Sequence, residues 1–292
     1  MREPHDSVTA TPPRDGWVTA NRLRLHLLEW GANGPPVLLL HGFLEHAHAW
    51  ERAAPRLAAA GFHVFALDFR GHGDSAWVGP GGYYHFADYA ADLAGVVRAL
   101  GGRAALVGHS MGASAALTYA GSEPERVTAL VCVDGIGPPD MPVEPAPERF
   151  QRWIDDLARV AARPGFAPVP ADAVARLRAR FPRLPEDAVE ALVAHNTRTV
   201  DGRRVWKFDP LHQTTSPQPY AVRQAEAFWR RIACPVLYAE GGASDLRLDP
   251  PDLDRRLAAL RAERVTIPGT GHHPHLEAPA ALADVVARFL RR

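Results

Sequence analysis

Cysteine is nearly absent: Cys132 and Cys234 are the only two in 292 residues, and both sit inside apolar, strand-like runs. That count excludes a disulfide framework and predicts free thiols packed in a core. An excess of either charge is missing as well. Lys plus Arg and Asp plus Glu stand at 33 each, with no basic run, so there is no electrostatic argument for nucleic acid or for an anionic membrane surface. No apolar run approaches the roughly 20 residues of a membrane span. Residues 1–16 are polar, with prolines and charges, and lack the apolar stretch of a signal peptide. These absences predict a soluble, cytoplasmic protein with no membrane or nucleic-acid partner. Ligand spacing is lacking too. His46 and His48, or His272, His273 and His275, have no Cys, Asp or further His placed to complete a metal site, so no metal is expected. Gly71-His72-Gly73 has no dinucleotide pattern before it and reads as a turn.

The richest stretch is Ala104-Ala105-Leu106-Val107-Gly108-His109-Ser110-Met111-Gly112. It starts as a buried strand, passes through Gly-x-Ser-x-Gly, and runs on into small residues that suit a helix. A strand turning at once into a helix leaves Ser110 on a strained corner, with its side chain above the sheet. Glycines two positions to either side remove the Cβ atoms that would collide. The helix would aim its free N–H groups and positive dipole end at whatever Ser110 holds.

Along the chain, residues 17–31 read as an antiparallel hairpin around Ala20-Asn21, at a sheet edge. Buried strands are predicted at 36–40, 63–67, 127–133, 235–239 and 264–267, and in the apolar run 104–107 before the Gly-x-Ser-x-Gly turn. Helices are predicted at 53–60, 86–100, after Ser110, and at 279–290. Strand and helix alternate, which implies a mostly parallel α/β sheet with helices on both faces. The alternation breaks after Gly135. Residues 137–218 are rich in Pro, Arg and Ala, with amphipathic stretches at 150–162, 171–181 and 186–195, and they predict an all-helical cap over the carboxyl ends of the strands. The expected division is a core of 17–136 and 219–292, a cap of 137–218, and a tail of 1–16.

Four motifs in this order resemble the α/β-hydrolase superfamily: His41-Gly42-Phe43, Gly71-His72-Gly73-Asp74-Ser75, Gly108-His109-Ser110-Met111-Gly112, and Gly271-His272 with Glu277 and Pro279. The resemblance covers residues 17–292. The run 41–50, Trp206-Lys207-Phe208-Asp209-Pro210 and Phe228-Trp229 are similar to the lidded serine hydrolase-like branch. The resemblance implies that Ser110 is the nucleophile and His272 its base, with His273 and His275 as flanking competitors. Backbone amides of Phe43 and Met111 match the oxyanion hole. Asp245, after the 235–239 strand, matches the usual acid, although the extra Gly241 lengthens that turn. Asp134, at the end of the 127–133 strand, is the alternative. Trp50, Phe150 and Trp153 are candidates to line an acyl pocket, or else to be core. The implied activity is hydrolysis of a small carboxylic ester through an acyl-enzyme, with no cofactor. Carbon–carbon bond hydrolysis, lactone opening and a non-catalytic ligand receptor stay open on the same scaffold, as does assembly as a homodimer.

Overall fold

The segments with the fewest polar side chains take the centre of one sheet. In a computed structural model describing residues 12–163, 165–246 and 248–292, β3 (Pro36–Leu40), β4 (His63–Leu67), β5 (Ala104–His109), β6 (Val127–Val133) and β9 (Val236–Gly241) are buried along nearly all their length. Strands that read as continuous apolar runs need cover on both faces. The edges are half exposed: β1 (Arg14–Ala20) pairs with β2 (Leu23–Trp30) on one side, and β10 (Glu263–Ile267) lies on the other. The eight-stranded order is β1-β2-β4-β3-β5-β6-β9-β10. The β1–β2 and β2–β4 pairs are antiparallel, and every other pair is parallel.

Alternation along each strand divides the core between two faces. Leu38 and Leu40 of β3 join Leu106, Leu130 and Tyr238 beneath α2 (Phe86–Ala99), α3 (Met111–Ser122), α7 (Val222–Trp229) and α8 (Pro250–Leu260). Val37 and Leu39 join Val107, Val131 and Ala239 beneath α1 (Ala54–Ala59) and α10 (Pro279–Leu290). Cys132 and Cys234 are free, and burial pushes the Cys132 thiol up. No helix among the described residues is long and apolar enough to cross a membrane.

Two differences from the sequence expectation have local causes. The first hairpin starts at Arg14, which takes three residues from the expected tail into the sheet. Its turn is Asn21-Arg22, with φ of 45° and 67°, the doubly positive pair that matches strand twist in a two-residue hairpin. Tail residues 1–11 lie outside the described residues. The insertion between β6 and β9 is not all-helical either. Besides α4 (Ala146–Ala161), α5 (Ala173–Arg180) and α6 (Glu186–His195), it contains an antiparallel pair, β7 (Thr197–Val200) and β8 (Arg203–Trp206). Asp201-Gly202 makes the turn, again with both φ positive. An Asp-Gly between β-branched residues is a hairpin signal, masked here by the arginines on both strands.

The insertion is tied to the sheet through the Gly71–Ser75 turn. Lys207 Nζ lies 2.6 Å from Asp74 Oδ2, and the Tyr84 hydroxyl donates to Asp209 at 2.8 Å. Beneath that turn, Arg70 holds Asp92 of α2 with two bonds of 2.6 and 2.5 Å, both side chains being buried. Removing one member of a buried ion pair strands the other charge. Asp92→Ala should therefore lose about 3–5 kcal/mol in urea unfolding. A loss below about 1 kcal/mol would show that Arg70 finds water or Asp88 at little cost.

Candidate active site

The carboxyl ends of β3, β5 and β6 meet at Ser110. Its φ of 49° and ψ of −110° lie outside the regions open to ordinary L-residues, a strain of about 1–3 kcal/mol that surrounding structure must hold. The Ser110 N–H donates to Val133 O at 3.0 Å, fastening the corner to β6. Two glycines leave the space it needs. A Cβ on Gly112 would lie 2.5 Å from Leu40 O, and one on Gly135 would lie 2.6 Å from Ser110 Cα. Met111 opens α3 directly after the serine, so the unpaired N–H groups of the first helical turn face this corner.

His272 stands on the loop between β10 and the short α9 (Pro274–Glu277). Glu277 accepts from Gly271 N at 2.7 Å and from His273 N at 3.3 Å, gripping the backbone on both sides of His272. The His272 carbonyl faces His109 Nε2 at 2.8 Å. Its ring Nδ1 lies 2.7 Å from Asp134 Oδ2.

The carboxylate beside His272 is thus that of Asp134, and Asp245 has to be corrected. Asp134 ends β6 with a φ of 47°, a left-handed conformation that Asp tolerates better than most residues. Its side chain is 3% exposed and also accepts from Gly241 N at 2.9 Å and Ser244 Oγ at 2.6 Å. Backbone bonds to the β10 end decide which residue faces it: Gly242 N reaches Ile267 O, and Ala243 N reaches Thr270 O. So pinned, the turn presents Ser244 to the carboxylate and leaves Asp245 exposed to solvent.

Phe43 follows β3 with its side chain 53% exposed. Its loop is held by Glu45, which accepts from Gly42 N at 2.7 Å, and by Asn196 of the insertion, which donates to Leu44 O at 2.9 Å. Trp50 is a second correction. It is 1% exposed, packed with Ala53, Ala54 and Leu57, and its ring lies 4.7 Å from that of His275. It is core beneath the loop. Trp153 of α4 is half buried, edge-on to Phe150 and Tyr83 at 5.6 Å each.

Sequence reasoning missed Glu45. Its carboxylate lies among His109, His273 and His275. Burial alone would raise its pKa, but the His109 and His275 charges outweigh that and hold it well below the carboxylate range. Burial pushes His273 down to about 2 and His275 down to about 4. His109 is raised: burial opposes its charge, and the adjacent Glu45 carboxylate prevails. Position three after Gly42 was the sole cue, and no local pattern connects it to residues 64 and more positions away.

A serine on a strand–helix corner, with a carboxylate–histidine pair on neighbouring strand ends, is the arrangement that defines a class of hydrolytic folds. Residues 35–279 match the family described as alpha/beta hydrolase fold, and the chain belongs to that family. It is similar to a serine hydrolase-like protein of Dictyostelium discoideum, 26% identical over 277 residues that cover 89% of this chain and 77% of that one. An esterase of Mycobacterium tuberculosis is 29% identical over 277 residues, covering 90% and 85%. Among solved structures, the thioesterase domain from the curacin biosynthetic pathway is similar with a TM-score of 0.83 and 30% identity, covering 94% and 99%.

Gly135→Ala tests the packing under the corner. The added methyl should lower stability by about 1–3 kcal/mol and slow fluorophosphonate labelling of the protein. Unchanged melting and labelling would mean that the corner does not depend on this close approach.

Proposed function

We propose that the protein is a serine hydrolase that cleaves a small carboxylic ester by two-step acyl transfer. The observation that carries the reading is the Asp134–His272 pair of 2.7 Å, set beside a serine on a strained helix-opening corner. A serine hydroxyl needs a base to attack at neutral pH, and an imidazole whose Nδ1–H is held by a carboxylate presents Nε2 for that task. In this reading His272 takes the Ser110 proton as the oxygen attacks the ester carbonyl. The tetrahedral oxyanion rests on the amides of Met111 and Phe43, and His272 then returns the proton to the departing alcohol. Water attacks the acyl-enzyme by the same route. Asp134 orients the ring. The elbow serine also argues against epoxide opening in the manner that needs a carboxylate nucleophile at this corner.

Residues 137–218 act here as a cap whose helices limit the acyl group, with Trp153 as the candidate side chain for that task. The similar esterase and thioesterase domain are named for cleavage of esters and thioesters, which is in keeping with acyl transfer. A panel of p-nitrophenyl esters, a lactone and a vinylogous diketone separates the three. On the ester, Ser110→Ala should lose at least about a thousandfold in kcat with its far-UV spectrum unchanged. Retention of most activity would end the serine reading.

The acid is tested by a pair of variants. Asp134→Asn should lower kcat by about 10³–10⁴-fold, because an amide favours the wrong tautomer of His272. Asp245→Asn should stay within about twofold, as expected of a solvent-exposed residue. The reverse ranking would return the role to Asp245.

A further inference from the structure

Behind His272 lies a buried group of side chains that the proposed reaction does not consume. Glu45 comes from the loop after β3, His109 from the end of β5, and His273 and His275 from the start of α9. Glu45 Oε2 is 3.1 Å from His109 Nδ1 and 3.6 Å from His275 Nε2, and its Oε1 is 3.4 Å from His273 Nε2. Ligand atoms of Glu45, His109 and His273 all lie within 4.8 Å of one another. His275 is 0% exposed, and neither of its ring nitrogens has a hydrogen-bond partner.

The three Glu45–histidine distances are close to the edge of a metal's coordination tetrahedron. Bonds of about 2.0–2.1 Å in a tetrahedron put ligand atoms about 3.3 Å apart, and place the centres of two bound imidazoles about 5 Å apart. The His109 and His273 rings are 5.1 Å apart, and those of His109 and His275 are 4.3 Å apart. The geometry points to a site for a divalent transition metal of the zinc class, ligated by His109 Nδ1, His273 Nε2 and the Glu45 carboxylate, with His275 Nε2 as the nearest fourth donor.

The surroundings fit that role. A ligating histidine usually donates its other N–H to a carboxylate or carbonyl, which fixes the tautomer. His109 Nε2 already faces the His272 carbonyl, leaving Nδ1 turned to Glu45. Neither ring nitrogen of the buried His275 has a hydrogen-bond partner. The proton that His109 shares with Glu45 leaves as the cation arrives. The Phe181 ring meets His273 edge-on at 4.6 Å, and the Glu45 and His273 side chains are each 10% exposed. A second group, His48, Glu51 and His195, is less suited. Its imidazoles stack at 3.8 Å and 14°, so their in-plane lone pairs run side by side instead of converging.

The site touches both halves of the proposed machinery, since Glu45 holds Gly42 N and His109 holds the His272 carbonyl. On that reading, loading draws both groups toward the ion and suppresses turnover. The binding itself does not rest on it.

The test is a zinc titration of the chelator-stripped chain against a chromogenic chelator, with p-nitrophenyl ester turnover followed in parallel. One zinc per chain should bind at micromolar or lower concentration. His273→Gln and Glu45→Gln should each weaken it by at least about tenfold, while His195→Gln leaves it unchanged. Should Glu45→Gln fail to fold, His273→Gln decides alone. No zinc held at tens of micromolar, binding indifferent to His273→Gln, or binding lost in His195→Gln would each overturn the site. Zinc should slow the wild type and leave His273→Gln less affected. A chain that binds zinc as stated but hydrolyses no ester keeps the site and rejects the esterase reading.

Discussion

The φ of 49° at Ser110 is the constraint on which the remaining architecture depends. A serine left to itself would relax out of that conformation. It is kept there because β5 must end and α3 must begin within one residue, with β3 and β6 already packed on either side. The Ser110 N–H bound to Val133 O and the absence of side chains at Gly112 and Gly135 are the local expression of that crowding. The parallel order β3-β5-β6-β9 then places every loop that matters at one end of the sheet. Strand-order reversal about β3 opens the crevice in which such sheets hold ligands.

Around this corner, polar groups are satisfied through long-range pairings. Asp134 receives three donors, one each from His272, Gly241 and Ser244. A carboxylate so enclosed is oriented by the ends of β6, β9 and β10 together, which makes the His272 ring position a property of the sheet and not of one loop. Glu277 and His109 fix the same loop through its backbone. The insertion joins the arrangement through Asn196 on Leu44 and Lys207 on Asp74. The residues flanking its β7–β8 hairpin thereby couple to the loop carrying Phe43 and to the Gly71–Ser75 turn.

Much of the scaffold was legible because its signals are local. Continuous apolar runs such as 36–40 and 63–67 have no stable place except a sheet covered on both faces. Gly108, Ser110 and Gly112 announce their corner by spacing alone. What escaped depends on contacts across the chain. Choosing between Asp134 and Asp245 requires knowing that Gly242 and Ala243 bond to Ile267 and Thr270, some 25 residues on; counting along the turn cannot reveal it. Trp50 lies close to the His41 motif in sequence but under its loop in space. The Thr197–Trp206 hairpin is polar on its strands, so its Asp-Gly turn was outweighed by composition. Glu45 and its histidines come from three separate segments, and ligand spacing has no meaning until the sheet brings the chain after β3, β5 and β10 together.

The central claim is that Ser110 forms a covalent acyl intermediate, and rapid quenching tests it most directly. Wild-type protein and Asp134→Asn would be mixed with p-nitrophenyl acetate, quenched in acid, digested and examined by peptide mass spectrometry. The account predicts one acetyl group on the peptide containing Ser110, with fragmentation placing it on that serine, and slower clearance in the variant. Turnover of the ester with no acyl group on Ser110 at any quench time, or with the label on another residue whose removal abolishes turnover, would contradict it.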